Sequence, residues 1–237
     1  MRFDCASRTH VGLKRKINED SIFADPDRGL WVVADGMGGH EAGEVASGMV
    51  INALRALPLL GDLDELASCA AEALKQVNRD LIGLARSGGS NRTIGTTVVG
   101  LAIAGGSFRC FWLGDSRAYR LRDGEITRIS HDHSLVQSLV DAGMIKPEEA
   151  ESHENANLIT RAVGVADNVE VDIVSGDALS GDQFLLASDG LTRVVRDEEL
   201  AAALGQASPA EAADNLLATV LERGAPDNVS LIIARLV

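Results

Sequence analysis

The chain has 237 residues, 46% apolar and 24% charged, a balance that belongs to folded, core-forming proteins and excludes a disordered one. A net charge of −13 with 3% aromatic residues works against nucleic-acid binding through phosphates or stacked bases. No apolar run reaches bilayer-spanning length and the first twenty residues lack a signal-peptide core, so a cytoplasmic protein without membrane attachment is expected.

In chain order, apolar patterning predicts strands over 3–12, 21–25 and 30–35. A helix is expected after Gly43. Another opens at Asp62, capped with Glu65 three residues on, and carries Leu63, Leu66, Ala70, Leu74, Val77, Leu81 and Leu84 along one face. RSGGSNRTIG (86–95) is the loosest stretch and leads from that helix into a strand. Further strands are expected over 96–105, 107–115, 117–130, 169–175, 182–189 and 228–237, with Asp123-Gly124 as a hairpin turn within 117–130. A last helix starts at Ser208-Pro209, with Glu211 completing its cap, and stops at Gly224. Cys5, Cys69 and Cys110 are odd in number and scattered, so they read as free thiols. No repeat or long linker divides the chain. One domain over 1–237 is expected, of the α+β class, because strands follow one another without regular βαβ alternation.

The acids at strand boundaries carry the functional signal. LWVVAD ends at Asp35-Gly36, FLLAS at Asp189-Gly190 and FRCFWLG at Asp115. Asn18-Glu19-Asp20 precedes SIFAD, Asp227-Asn228 precedes VSLIIARLV, and His131-Asp132-His133 follows EITRIS. An Asp-Gly pair is most often only a turn, as Asp123-Gly124 is. Asp35 and Asp189 differ because no matching return strand follows either. Two carboxylates about 4 Å apart repel by roughly 4 kcal/mol at an effective dielectric near 20, so a group of four or more needs compensation. Divalent cations supply it, and oxygen-only ligands favour Mg2+ or Mn2+. Such ions lower the pKa of a water that attacks a phosphate ester, while an arginine such as Arg15 holds the phosphate oxygens. Other readings fail on spacing. A dinucleotide-binding loop finds Glu41 at its third glycine position, a calcium loop from Asp25 finds Gly36 at its twelfth, and zinc at His131-x-His133 lacks a third ligand.

Seven short motifs stand in order along the chain. They are Arg15-x-x-Asn18-Glu19-Asp20, Asp35-Gly36-Met37-Gly38-Gly39-His40, Gly95-Thr96-Thr97 and Gly114-Asp115-Ser116-Arg117. Asp132-His133-Ser134, Ser188-Asp189-Gly190-Leu191 and Asp227-Asn228-Val229-Ser230 follow. This set resembles the metal-dependent Ser/Thr protein phosphatases, the PPM or type 2C family, in their compact bacterial form, and the likeness runs from residue 3 to the last strand. It implies a four-layer α-β-β-α sandwich of two central antiparallel sheets flanked by helices, with metals at one end. It implies two Mg2+ or Mn2+ ions bridged by Asp35, the first also bound by Asp189 and Asp227. The Gly36 carbonyl reaches the second, supported by Glu19 and Asp20. Asp132 with Asp189 matches a third, weaker ion site, and Arg15 matches the phosphate-binding arginine. The glycines after Asp35 are expected to let carbonyls and waters approach the metals.

The implied reaction is hydrolysis of phosphoserine and phosphothreonine in proteins by direct attack of a metal-bound water or hydroxide. The implied setting is a monomer that opposes a separate Ser/Thr kinase. Animal members carry a histidine, their proposed general acid, directly after Asp-Gly. Met37 stands there in this chain and cannot donate a proton. His40 reads as a packing or cap residue, which leaves a metal-bound water as the donor, and Asp115 is expected to be structural. GMIKPEEAESHENANLITRAVG (143–164) matches the flap beside the site in bacterial members, with His153 and Arg161 as candidate substrate contacts. A solvated loop histidine is the competing reading of His153. The rival functions are a non-catalytic binding module on the same fold and a phosphatase for small esters. Retention of Asp35, Asp189 and Asp227 speaks against the first, and the flap speaks against the second.

Overall fold

The computed structural model describes residues 1–38, 42–58, 61–87, 93–206 and 208–237. Its first strands are β1 (Phe3–His10), β2 (Asp20–Asp25) and β3 (Leu30–Gly38), followed by helices α1 (Ala42–Arg55) and α2 (Leu63–Ser87). The middle of the chain forms β4 (Ile94–Thr96), β5 (Val98–Ala104), β6 (Ser107–Leu113), β7 (Arg117–Arg122), β8 (Glu125–Arg128), α3 (Leu135–Asp141) and α4 (Pro147–Ala150). It closes with β9 (Asp172–Asp177), β10 (Gln183–Ala187), α5 (Asp189–Thr192), α6 (Asp197–Gln206), α7 (Pro209–Glu222) and β11 (Val229–Leu236). One sheet runs β1-β11-β10-β7-β8 and the other β2-β3-β5-β6-β9, with β4 beside β3. Every pairing is antiparallel.

Strand periodicity sets the layers. Leu30, Val32 and Ala34 of β3 join Ala46, Val50 and Leu54 of α1 and Leu74 and Leu81 of α2 in one core. Trp31 and Val33 point the other way and pack between the sheets with Phe184, Leu186 and Ile232. Burial on both faces is why this strand reads as an unbroken apolar run rather than an alternation. A third core places Leu185, Leu231 and Ile233 against Leu200 and Leu204 of α6 and Leu216 and Val220 of α7. Helices thus cover both outer faces of two antiparallel sheets, the sandwich expected from the sequence.

Local chemistry starts and stops the elements. Asp62 Oδ1 accepts from the backbone N–H of Asp64 at 2.7 Å and of Glu65 at 3.1 Å, capping α2. Ser208 and Glu211 form the reciprocal cap of α7. Asp123 and Gly124 both take positive φ, 51° and 82°, as a two-residue hairpin turn between β7 and β8 requires. The three cysteines are free, with Cys110 buried.

Several elements depart from the sequence reading. β3 does not stop at Asp35 but runs on to Gly38, because Gly36, Met37 and Gly38 pair with β4. Asp189, expected as the last residue of a strand, instead opens α5, and the polar stretch after it leads into α6. Within 143–164 only 143–158 is largely exposed; Ile159 bridges to Ser134, Val163 bridges to Thr96, and Ala162 and Val163 are buried. His40 lies outside the described residues.

Candidate metal and phosphate site

Strand ends from both sheets meet around a group of carboxylates. Asp20 of β2 and Asp35 of β3 are direct partners in register, which sets two like charges side by side on one face of the sheet. From the facing sheet, Ser188 at the end of β10 donates its Oγ–H to Asp20 Oδ2 at 2.9 Å. Asp189 follows Ser188, and the electrostatics of Asp35 and Asp189 are linked. Asp227 enters just before β11. Burial pushes Asp20 up to about 7, with Asp189 and Asp227 adding to the effect against bonds from Ser230 and Ser188. Burial, then Asp20 and Asp189, hold Asp35 well above the ordinary carboxylate range. Burial also raises Asp189 and Glu19.

The motif residues between these acids hold backbone. Thr96 Oγ1 donates to the Asp35 carbonyl at 2.9 Å, and Thr97 Oγ1 accepts from the Asp35 N–H at 3.2 Å. Asn228 Oδ1 accepts from the Glu19 N–H at 2.8 Å, while its Nδ2 donates to the carbonyls of Val11 and Ile17, closing the loop that carries Arg15. Glu19 Oε1 accepts from the Gly43 N–H at 3.1 Å at the start of α1. Gly36 and Gly190 are sites of close approach: a Cβ would lie 2.1 Å from the Gly43 carbonyl oxygen in the first case and 1.8 Å from that of Asn228 in the second. Glycine therefore serves here to seat α1 and the lead into β11 against the strand ends, a packing role that the sequence reading had not separated from metal access.

Asp35, Asp189, Asp227, Glu19, Asp20 and Gly36 come together as the sequence grouped them. Arg15 reaches them, with Nη2 2.8 Å from Asp227 Oδ2 and its side chain 53% exposed. Asp132 lines the adjoining pocket with Asp115 and Asp189. Its carboxylate, however, is gripped by Arg117, with Nη2 at 2.7 Å and Nε at 3.0 Å from Oδ2, and Arg128 stands 3.6 Å away. His153 turns onto its own loop, Nδ1 accepting from the Asn155 N–H at 3.1 Å. Arg161 donates to Asp172 at 2.6 Å and to the Glu170 carbonyl, and Asp172 also bonds His133 Nε2 at 3.1 Å. Arg161 is thus an anchor for the lead into β9.

Two residues of the site escaped the sequence reading. Asp115 was expected to shape a turn, yet burial and Asp189 push it up to about 7. Arg193 lies between them, Nε 2.9 Å from Asp189 Oδ2 and Nη2 3.2 Å from Asp115 Oδ2. The signals were present: Asp115 follows an apolar run in the sequence as Asp35 and Asp189 do, and Arg193 follows Asp189 at helical i,i+4 spacing.

Among the described residues no three His, Cys, Asp or Glu side chains stand around one point as a preformed metal site would. The acids are instead engaged singly, Asp227 with Arg15, Asp189 with Arg193 and Asp20 with Ser188. Their chemistry still fits hard divalent ions. The donors are all oxygen, burial and neighbouring carboxylates raise Asp20, Asp35 and Asp189, and Asp20 Oδ1 is a buried acceptor with no hydrogen-bond partner.

A family model described as protein phosphatase 2C matches residues 9–226. The chain is 42% identical to the serine/threonine protein phosphatase PstP of Mycobacterium tuberculosis over 98% of its own length, and it spans 45% of that relative. It is 33% identical to the serine/threonine phosphatase stp of Listeria monocytogenes, covering 95% of this chain and 93% of the relative. Among solved structures, PppA, a key regulatory component of T6SS in Pseudomonas aeruginosa, superposes with a TM-score of 0.92 at 41% identity, covering 99% of this chain and 98% of that one. The catalytic domain of PstP in complex with two manganese ions gives 0.87 at 39% identity, covering 98% and 97%.

Proposed function

Because the chain belongs to the protein phosphatase 2C family, we propose that it is a metal-dependent phosphatase that removes phosphate from phosphoserine and phosphothreonine in proteins. The observation that carries this reading is the meeting of Asp20, Asp35, Asp189 and Asp227 from both sheets, with Arg15 at their edge. Asp35, Asp189 and Asp227, the Gly36 carbonyl, Glu19 and Asp20 would hold the ions. Manganese is the ion in the related PstP domain, and the same oxygen ligands suit Mg2+. Bound there, divalent ions supply a lowered pKa for an attacking water and polarise the phosphoryl oxygens.

The chain's own groups do the rest. Arg15, half exposed, exchanges its bond to Asp227 for the oxygens of an incoming phosphate, to which its guanidinium offers a planar fork. Thr96 and Thr97 fix the backbone of Asp35, so its carboxylate stays beside Asp20. Met37 carries no transferable proton, so protonation of the leaving group falls to water. Asp132 is the candidate ligand of a third, weaker ion, which would compete there with Arg117 and Arg128. The exposed segment borders the site through Ala150, Glu151 and Ala156 and selects among protein substrates. A monomeric enzyme that opposes a Ser/Thr kinase in cytoplasmic signal transduction completes the proposal. No helix among the described residues is long and apolar enough to cross a membrane.

The test is phosphate release from phosphoserine, phosphothreonine and phosphotyrosine peptides with Mn2+ and with EDTA. Mn2+-dependent release from the first two is expected. Binding of those peptides without release would support the non-catalytic module instead.

A further inference from the structure

One guanidinium joins three separate parts of the chain beside the site. Arg193 Nε lies 2.9 Å from Asp189 Oδ2, and its Nη2 lies 3.2 Å from Asp115 Oδ2 and donates to the Ala156 carbonyl at 3.0 Å. Asp115 follows β6, Asp189 opens α5, and Ala156 belongs to the exposed segment. We infer that Arg193 is a positioning residue, the built-in counter-cation of the Asp115–Asp189 pair and the latch that holds segment 145–157 against the site.

The counter-cation role follows from burial and competition. The Asp115 side chain is 6% exposed and that of Asp189 18%, so little water screens them from each other. The other cation lining this pocket, Arg117, is committed to Asp132. Arg193 is itself held in place, as the C-cap of α5 with its N–H bonded to the Asp189 carbonyl at 2.9 Å. Its side chain therefore folds back over the same turn onto Asp189.

The latch role follows from where the segment's hydrogen bonds go. Lys146 and Glu149 bond each other, Ser152 Oγ donates to the Glu149 carbonyl, and the N–H of His153 donates to the Ala150 carbonyl. Asn155 and Ala156 bond back to His153, and Leu158 bonds back to Asn155. Among the described residues, the bond from Arg193 to Ala156 is the one hydrogen bond that ties 145–157 to the rest of the fold. A cation that draws Asp189 or Asp115 away competes with Arg193 for the same oxygens. Occupancy at the site and order in the segment are thereby linked.

The inference rests on the phosphatase reading only through the place of Asp189 in that site. Its test compares the full chain with Arg193→Gln and Arg193→Lys, by amide hydrogen exchange over 145–157 and by Mn2+ counting in equilibrium dialysis. Arg193→Gln is expected to speed exchange about tenfold or more, the equivalent of losing one hydrogen bond to a charged donor. It is also expected to bind one more Mn2+ than the wild type, in the place of the lost guanidinium. Arg193→Lys keeps the charge without the fork, so the ion count returns to that of the wild type while exchange stays fast. If the Gln variant does not fold, the Lys variant alone decides by the same two readouts. Wild-type exchange in the variants overturns the latch, and a wild-type Mn2+ count in Arg193→Gln, or a raised one in Arg193→Lys, overturns the counter-cation. Wild-type protein that releases no phosphate with Mn2+ would fail the functional proposal, while exchange and ion counts would still decide this one.

Discussion

Replacing Asp20 with Asn in the metal-free protein puts the carboxylate group to a quantitative test. Burial lifts this carboxyl from an ordinary 3.8 to about 7. A carboxyl raised by folding binds more protons in the native state than in the unfolded chain. Its contribution is therefore complete at low pH and is lost as pH climbs from 3.8 toward 7. At about 1.4 kcal/mol per pH unit the whole span amounts to about 4 kcal/mol, of which about 3 kcal/mol falls between pH 5 and pH 8. Asp35, Asp115 and Asp189 move in the same direction and add to the wild-type loss. Asn at position 20 keeps an acceptor for Ser188 and removes the titration. Urea unfolding in EDTA is expected to show the wild type clearly weaker at pH 8 than at pH 5, with Asp20→Asn flatter by about 3 kcal/mol. Saturating Mn2+ is expected to restore the wild type at pH 8. A wild type equally stable at both pH values in EDTA, or a variant with the wild-type slope, would contradict a raised Asp20 carboxyl.

Asp35→Asn and Asp189→Asn should each abolish Mn2+-dependent hydrolysis of an aryl phosphate while leaving circular dichroism unchanged; full activity in both would remove the assigned ligands. Arg15→Ala should raise KM for phosphopeptides more than it lowers kcat, since phosphate positioning is shared by ground and transition states. Because the Arg15–Asp227 pair is exposed, its loss should change unfolding stability by no more than about 1 kcal/mol. Gly190→Ala drives a Cβ into the Asn228 carbonyl at 1.8 Å, so a loss of at least about 3 kcal/mol in urea unfolding is expected; a near-neutral result would mean the close approach is not needed.

The layers of the fold were legible because strand and helix periods are written in single residues. LWVVA is apolar throughout because α1 and α2 cover one side of β3 and the second sheet covers the other. Caps were equally plain at Asp62 and Ser208, where one side chain satisfies local N–H groups. The acids were legible as a group because a carboxylate closing a buried strand is costly without a partner. What stayed hidden depends on pairing at long range. Nothing local to Gly36 announces β4 as its neighbour, and nothing local to Asp132 announces Arg117, fifteen residues earlier, as the arginine that grips it. Asp115 passed for a turn residue because its partner Arg193 lies 78 positions along the chain. Arg161 and His153 belong to the stretch that resembles the flap, and the structure bonds the first to Asp172 and the second to its own loop.

The central claim is that Asp35, Asp189 and Asp227 gather divalent ions at the meeting of the two sheets. Crystals soaked in Mn2+ and measured at the manganese absorption edge test it without recourse to activity. Two anomalous peaks are expected beside Asp35, one of them shared with Asp189 and Asp227. Peaks confined to other acidic patches, with none at Asp35, would contradict it.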